Sequence, residues 1–212
     1  MSATSLKVTL VDINPQVVQA WQAAFEGNPE VAIVRGSLLD QKVDAWVTPT
    51  NARGSMDGGV DALVKRHFGP TIQVRLQSAI KQEFGALMPV GTATCVTTGH
   101  IQPRWLISTP TMVASAEDVS DTLNVALACA AAFQAIHQHN ARSSDPITSV
   151  ALPGLGANTG RVPARVCANL MWTGYTLFQD YRFRDWETLR AMLLAQLGGG
   201  INEDSQIRIQ VL

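Results

Sequence analysis

What this sequence has little of narrows its function first. Cysteine occurs only at Cys95, Cys129 and Cys167. That odd count has no metal-ligand spacing, and each thiol sits among apolar or small residues. It reads as buried free thiols in a reducing compartment rather than a disulfide framework. Charge is sparse, at 16% of residues, and the formal net charge is −1. With no dense Lys/Arg window, nucleic-acid binding through phosphate neutralisation is not expected. No stretch approaches 18 uninterrupted apolar residues, so no membrane span is expected. Met1 to Lys7 lacks the apolar run of a signal peptide, and the expectation is a cytoplasmic protein. Familiar motifs are missing too. There is no Gly-Lys-Ser/Thr of a P-loop, no Gly-x-Ser-x-Gly, and no glycine-rich turn after the first strand. His137 and His139 lie two apart on a helical pattern, hence on different faces, and make no metal pair. No metal or cofactor is called for.

What is present is apolar material, 46% of 212 residues, enough for one core. Leu6 to Ile13 reads as a first strand. Asn14-Pro15 then supplies an N-cap and a first-turn proline for a helix carrying Val17, Val18, Trp21, Ala24 and Phe25. Val31 to Val34 and Val43 to Val47 read as further strands, the latter central and ended by a Pro-Thr-Asn turn. Helices are expected over Val60 to Phe68 and Thr71 to Phe84. Strands follow at Thr92 to Thr97 and Trp105 to Ser108, the second ended by Thr109-Pro110. A long Ala-rich helix starts at Asp118 or Ser120 and runs to about His139. Ile147 to Leu152 is a strand, and helices follow at Pro163 to Phe178 and Trp186 to Leu197. This alternation predicts an α/β fold, a three-layer α/β/α sandwich on a mixed, largely parallel sheet. One domain is expected over 1–197, with a tail over 198–212 that is either an edge strand or disordered.

Two loops stand at the carboxyl ends of predicted strands, where open α/β sheets hold ligands. The first runs from Thr48 to Asp61 and contains Gly58-Gly59 before a helix. The second is Pro153-Gly154-Leu155-Gly156-Ala157-Asn158-Thr159-Gly160-Arg161. Glycines before a helix N-terminus let backbone N–H groups approach a phosphate, although a plain strand-to-helix turn has the same pattern. Asp57 reads as a cap for the following helix. His67 and His100 read as surface or capping residues, and Trp21, Trp46, Trp105, Trp172 and Trp186 as core.

These residues carry a resemblance. Val43-Asp44-Ala45-Trp46-Val47-Thr48-Pro49-Thr50-Asn51, then Gly58-Gly59-Val60-Asp61, resembles the signature of macro domains, the ADP-ribose-binding modules. Leu152-Pro153-Gly154-Leu155-Gly156, continuing through Gly160-Arg161-Val162-Pro163, is similar to their phosphate loop. Leu106 to Met112 and Asp118 to Thr122 resemble the intervening segment of a bacterial and phage-type branch. The likeness covers about Leu6 to Leu194.

It implies that Asn51 contacts the distal ribose and that Asp61 positions or activates water. Gly58, Gly59 and Val60 would meet the phosphates and distal ribose from one side. Gly154, Leu155, Gly156, Ala157, Asn158, Thr159 and Gly160 would do so from the other. Arg161 either covers the phosphates or is solvated. There are departures from the family pattern. Ser37 follows Gly36 where an adenine-reading Asp is usual, with Asp40 or Asp12 as substitutes. Ala157-Asn158-Thr159 replaces the commoner run, and no aromatic follows Gly160. The resemblance implies an ADP-ribosyl hydrolase, acting on a mono-ADP-ribosyl ester on protein or on a small derivative such as the 1″-phosphate. The alternative is a non-catalytic ADP-ribose or nucleotide reader.

Overall fold

The computed structural model describes residues 6–181, 200–201 and 207–208. Six strands form the main sheet: β1 (Lys7–Asp12), β2 (Val31–Arg35), β3 (Ala45–Asn51), β4 (Thr94–Thr97), β5 (Trp105–Met112) and β6 (Ser149–Leu152). Their order is β2-β1-β6-β3-β5-β4. The first five in that order run parallel, and β4 alone pairs antiparallel, with β5. The helices are α1 (Pro15–Ala24), α2 (Gly59–Phe68), α3 (Thr71–Phe84), α4 (Asn124–Arg142) and α5 (Ala164–Tyr181). Among the described residues no helix is long and apolar enough to cross a membrane.

Both sheet faces are buried, and the period-2 alternation of the strands sorts side chains between them. Val8, Leu10, Ala45, Val47, Ile107, Val150 and Leu152 join the core under α1, α4 and α5. Val11, Trp46, Leu106 and Ala151 join the core under α2 and α3. The expected three-layer α/β/α sandwich is what forms. Asn14 caps α1 as expected, its Oδ1 accepting from Gln16 N–H at 3.0 Å with Pro15 at the first position. In α4, Asn124 to Ile136 are buried all round, which the small alanines permit by letting α5 pack closely against it.

Several boundaries differ from expectation. Pro49 and Pro110 do not end their strands: β3 continues to Asn51 and β5 to Met112. The reason lies in their neighbours. The last β3–β6 pair is Trp46 with Ala151, and the β4–β5 ladder reaches only Thr94 with Ser108. Beyond those points each strand is paired on one side alone, where a residue without an N–H is tolerated. The α4 helix starts at Asn124, not at Asp118 or Ser120. Asp118 Oδ1 accepts from Ser120 N–H and Thr122 N–H bonds to Val119 O, so local turns hold this segment out of the helix. In the tail, Gly200–Ile201 (β7) pairs antiparallel with Ile207–Arg208 (β8). The helix expected at Trp186 to Leu197 lies outside the described residues.

Candidate functional site

The β3 overhang makes the site. Because β6 stops at Leu152 while β3 runs on to Asn51, a crevice opens between their carboxyl ends, at a reversal of strand order. The loop after each strand flanks it. Between them lies a cavity of about 230 Å³ lined by Thr50, Asn51, Asp57, Gly58 to Asp61, Thr111, Ser115, Ala116, Gly154, Gly156 and Asn158 to Gly160, among others.

From the first loop come the α2 N-terminus and the two residues the sequence singled out. The first α2 backbone bond runs from Ala62 N–H to Gly58 O. The N–H groups of Gly59, Val60 and Asp61 therefore have no carbonyl one turn back to meet, and the cavity lies at that helix end. No side chain caps this helix, so Asp57 does not play the expected part. Its Oδ1 lies 3.1 Å from Lys65 Nζ instead, on the cavity rim.

Asp61 is 3% exposed, in the first turn of α2. Burial pushes its carboxyl up to about 7; the facing Thr50 and Thr48 hydroxyls pull it down, and the Asp57 charge raises it further. Its Oδ1 finds no hydrogen-bond partner of good geometry among the described residues. Such an acid is poised to exchange a proton near neutral pH.

Thr48 and Thr50 fall on the Trp46 face of β3, towards α2, so Asn51 turns to the opposite wall. Its carboxamide is fully engaged. Oδ1 accepts from Arg53 N–H at 3.0 Å and Ser55 N–H at 3.2 Å, while Nδ2 donates to Ser55 O and to Ser115 Oγ, both at 3.1 Å.

The second loop is held by Asp12, the last residue of β1. Asp12 Oδ2 accepts from Gly154 N–H at 3.1 Å and Oδ1 from Asn14 N–H at 2.8 Å, tying the loop to the end of β1. A Cβ on Gly154 would sit 2.9 Å from that carboxylate. Gly156 has φ +71°, and a Cβ on Gly160 would come within 2.8 Å of Gly156 O. Gly156 is required by its backbone conformation and Gly160 by the lack of room for a side chain.

Not every candidate lines the cavity. Leu155 is fully buried in the α4 side core and Ala157 packs against it. Arg161 is exposed, 3.5 Å from Asp118 Oδ2. Ser37 lies beyond β2, its Oγ accepting from Leu39 N–H to cap a short 3₁₀ turn. Conversely, Ser115 and Ala116, from the loop after β5, line the cavity without any motif to mark them. The one available signal was their place after a parallel strand. Among the described residues the lining has no Lys or Arg; an anion there would meet backbone dipoles.

The macro domain sequence profile matches residues 47–171, which take in β3 from Val47 onwards, both loops and the first part of α5. The chain belongs to the macro domain family. A protein of Aquifex aeolicus is 32% identical to this macro domain over 142 residues, covering 67% of the chain and 78% of that protein. A macro domain-containing protein of Streptomyces nogalater is 29% identical over 165 residues, 74% of the chain and 86% of its own length. Among solved structures, the macrodomain of Mycobacterium tuberculosis DarG superposes with TM-score 0.55 at 24% identity, covering 68% of this chain and 87% of that one. An Oceanobacillus iheyensis macrodomain with ADP gives TM-score 0.57 at 15% identity, covering 76% and 88%. At those identities the likeness is one of fold.

Proposed function

We propose that this macro domain binds ADP-ribose and hydrolyses ADP-ribosyl linkages, on a protein ester or on a small derivative such as the 1″-phosphate. The observation that carries the reading is Asp61, a buried carboxyl with a pKa near 7 in a cavity bounded by two glycine loops. The free α2 N–H groups suit a diphosphate, as does the glycine loop held by Asp12. Two acidic side chains line the cavity, yet they oppose an anion little. Asp57 is paired with Lys65, and burial raises the Asp61 pKa to about 7, which favours its neutral form relative to an ordinary carboxyl. Support from the family is of the same kind: a macrodomain of this fold was solved with ADP, and a variant of it with ADPR.

In the proposed reaction the diphosphate rests on backbone N–H groups, and the distal ribose lies towards Asn51 and Ser115. The Asp61 carboxylate takes a proton from the water that attacks the linkage, and it stabilises positive charge developing at the sugar carbon. Calorimetric titration with ADP-ribose, with AMP and ribose 5-phosphate as controls, tests the ligand. Hydrolysis of an ADP-ribosyl ester by the protein and by Asp61→Asn then tests the chemistry. Indifference to millimolar ADP-ribose sinks the whole reading. Binding without turnover leaves a reader module.

A further inference from the structure

The Asn51 carboxamide has no bond to spare. An amide offers two donors and two acceptor lone pairs, and here all four meet partners at 3.0 to 3.2 Å. Three of the bonds join it to backbone of its own loop, at Arg53 and Ser55, and these fix which end is oxygen. The fourth crosses the cavity wall to Ser115 Oγ. A hydroxyl that accepts one hydrogen bond still carries its own proton. That proton has no acceptor among the described residues, and Ser115 lines the cavity.

The segment carrying Ser115 is held in place from several directions. Glu117 Oε2 accepts from Val113 N–H at 2.9 Å and from Ala114 N–H at 3.2 Å. Ala116 takes φ +61°, a conformation an L-residue keeps only when its surroundings impose it. Val119 N–H bonds to Gly160 O at 3.0 Å, joining this segment to the second glycine loop. The donor is therefore placed before any ligand arrives.

We infer that Ser115 is the direct hydrogen-bond contact to a hydroxyl oxygen of the distal ribose, and that Asn51 is a positioning residue acting through it. This rests on the ADP-ribose reading of the site. A hydroxyl suits the task because it donates and accepts at once, passing the polarity of the amide N–H on to the sugar. Asn51 in turn keeps the Ser115 proton directed away from the loop and into the cavity.

A double-mutant cycle tests the assignment, read by calorimetry with ADP-ribose and with ADP, which lacks the distal ribose. Ser115→Ala is expected to weaken ADP-ribose binding about three- to tenfold, the usual worth of a neutral hydrogen bond, and to leave ADP binding unchanged. Ser115→Thr, which keeps the hydroxyl, restores most of the loss. Asn51→Ala weakens ADP-ribose binding in the wild-type background, but adds little once Ser115 is alanine. Thermal melts confirm that each variant is folded. Additive losses overturn the inference, because Asn51 then touches the ligand independently. Equal losses for ADP and ADP-ribose overturn it too, placing Ser115 on the diphosphate. Wild-type binding with an unaffected Ser115→Ala refutes this inference alone, whereas no wild-type binding of ADP-ribose refutes the reading of the site beneath it.

Discussion

A carboxyl held at a pKa near 7 costs stability wherever it is ionised, and Asp61 makes that cost measurable. Its folded pKa lies above the unfolded value of about 3.9. The associated stability is therefore complete below pH 4 and is lost as pH rises towards and through 7. Asp61→Asn removes the titration while keeping the shape. Urea unfolding is expected to show the variant more stable at pH 8 by on the order of 2–4 kcal/mol, with the difference vanishing below pH 4. Under the proposed reaction the pH dependence of activity has the opposite sense. Ester hydrolysis rises with pH through about 7 as the carboxylate forms, and Asp61→Asn abolishes that rise; a flat profile between pH 5 and 8 would exclude Asp61 as the base. At Gly160 the constraint is steric, since an added Cβ would lie 2.7 Å from Val119 Cγ2 and 2.8 Å from Gly156 O. Gly160→Ala should destabilise by about 1–3 kcal/mol in the same unfolding measurement, as overpacking does.

Among the elements, the decisive relation is between β3 and β6. Their ladder ends at Trp46 and Ala151, and beyond it Pro49, Thr50 and Asn51 of β3 line the cavity. At the other end of that pair, Asp44 ties the base of the crevice together. Its Oδ2 accepts from Thr148 N–H, Thr148 Oγ1 and Ser149 N–H at 2.8 to 3.0 Å. Burial alone would raise the Asp44 carboxyl, but these bonds outweigh it and hold the pKa below the usual carboxylate value. The stability it adds is present at neutral pH and is lost as pH falls through that lowered value. Asp12 does the corresponding work at the top, joining the end of β1 to Gly154. Removing it frees the second glycine loop without opening the core. Asp12→Ala is expected to weaken ADP-ribose binding by tenfold or more while lowering stability by only about 1–2 kcal/mol, the range for a buried N–H left without its acceptor. A melting curve beside the titration separates the two effects, and unchanged affinity would refute this role for Asp12.

For the molecule as a whole, a ligand that bridges both glycine loops joins elements on either side of the sheet. Binding to the native state alone should stabilise it by about 2.7 kcal/mol at a hundredfold excess over Kd, a rise in Tm of roughly 5–10 °C for a domain of this size. Differential scanning fluorimetry with ADP-ribose measures it, and AMP at the same concentration should give a smaller shift. No shift at saturating ADP-ribose would contradict the proposed ligand.

Much of this architecture was legible in the chain. Short runs such as Val43 to Val47 and Ile147 to Leu152, apolar on both faces, marked buried parallel strands. The Asn51 to Asp61 spacing marked the first wall of the cavity, because the loop and the helix start are local features. Strand ends were harder to read. Pro49 and Pro110 look like terminators until one knows that no second neighbour reaches them. Asp57 likewise looked like a cap, and only folding brings it to Lys65. The amino-acid order by itself determined the layered α/β fold and the two glycine loops, since these follow from periodicity and local turn chemistry, and the motifs in those loops carried the resemblance to the family. Tertiary structure alone decided that Asp61 is buried, with an oxygen that finds no partner of good geometry among the described residues, that Asn51 has no free bond, and that Ser115 joins it. Each depends on contacts between segments far apart in the chain, and no local pattern encodes them.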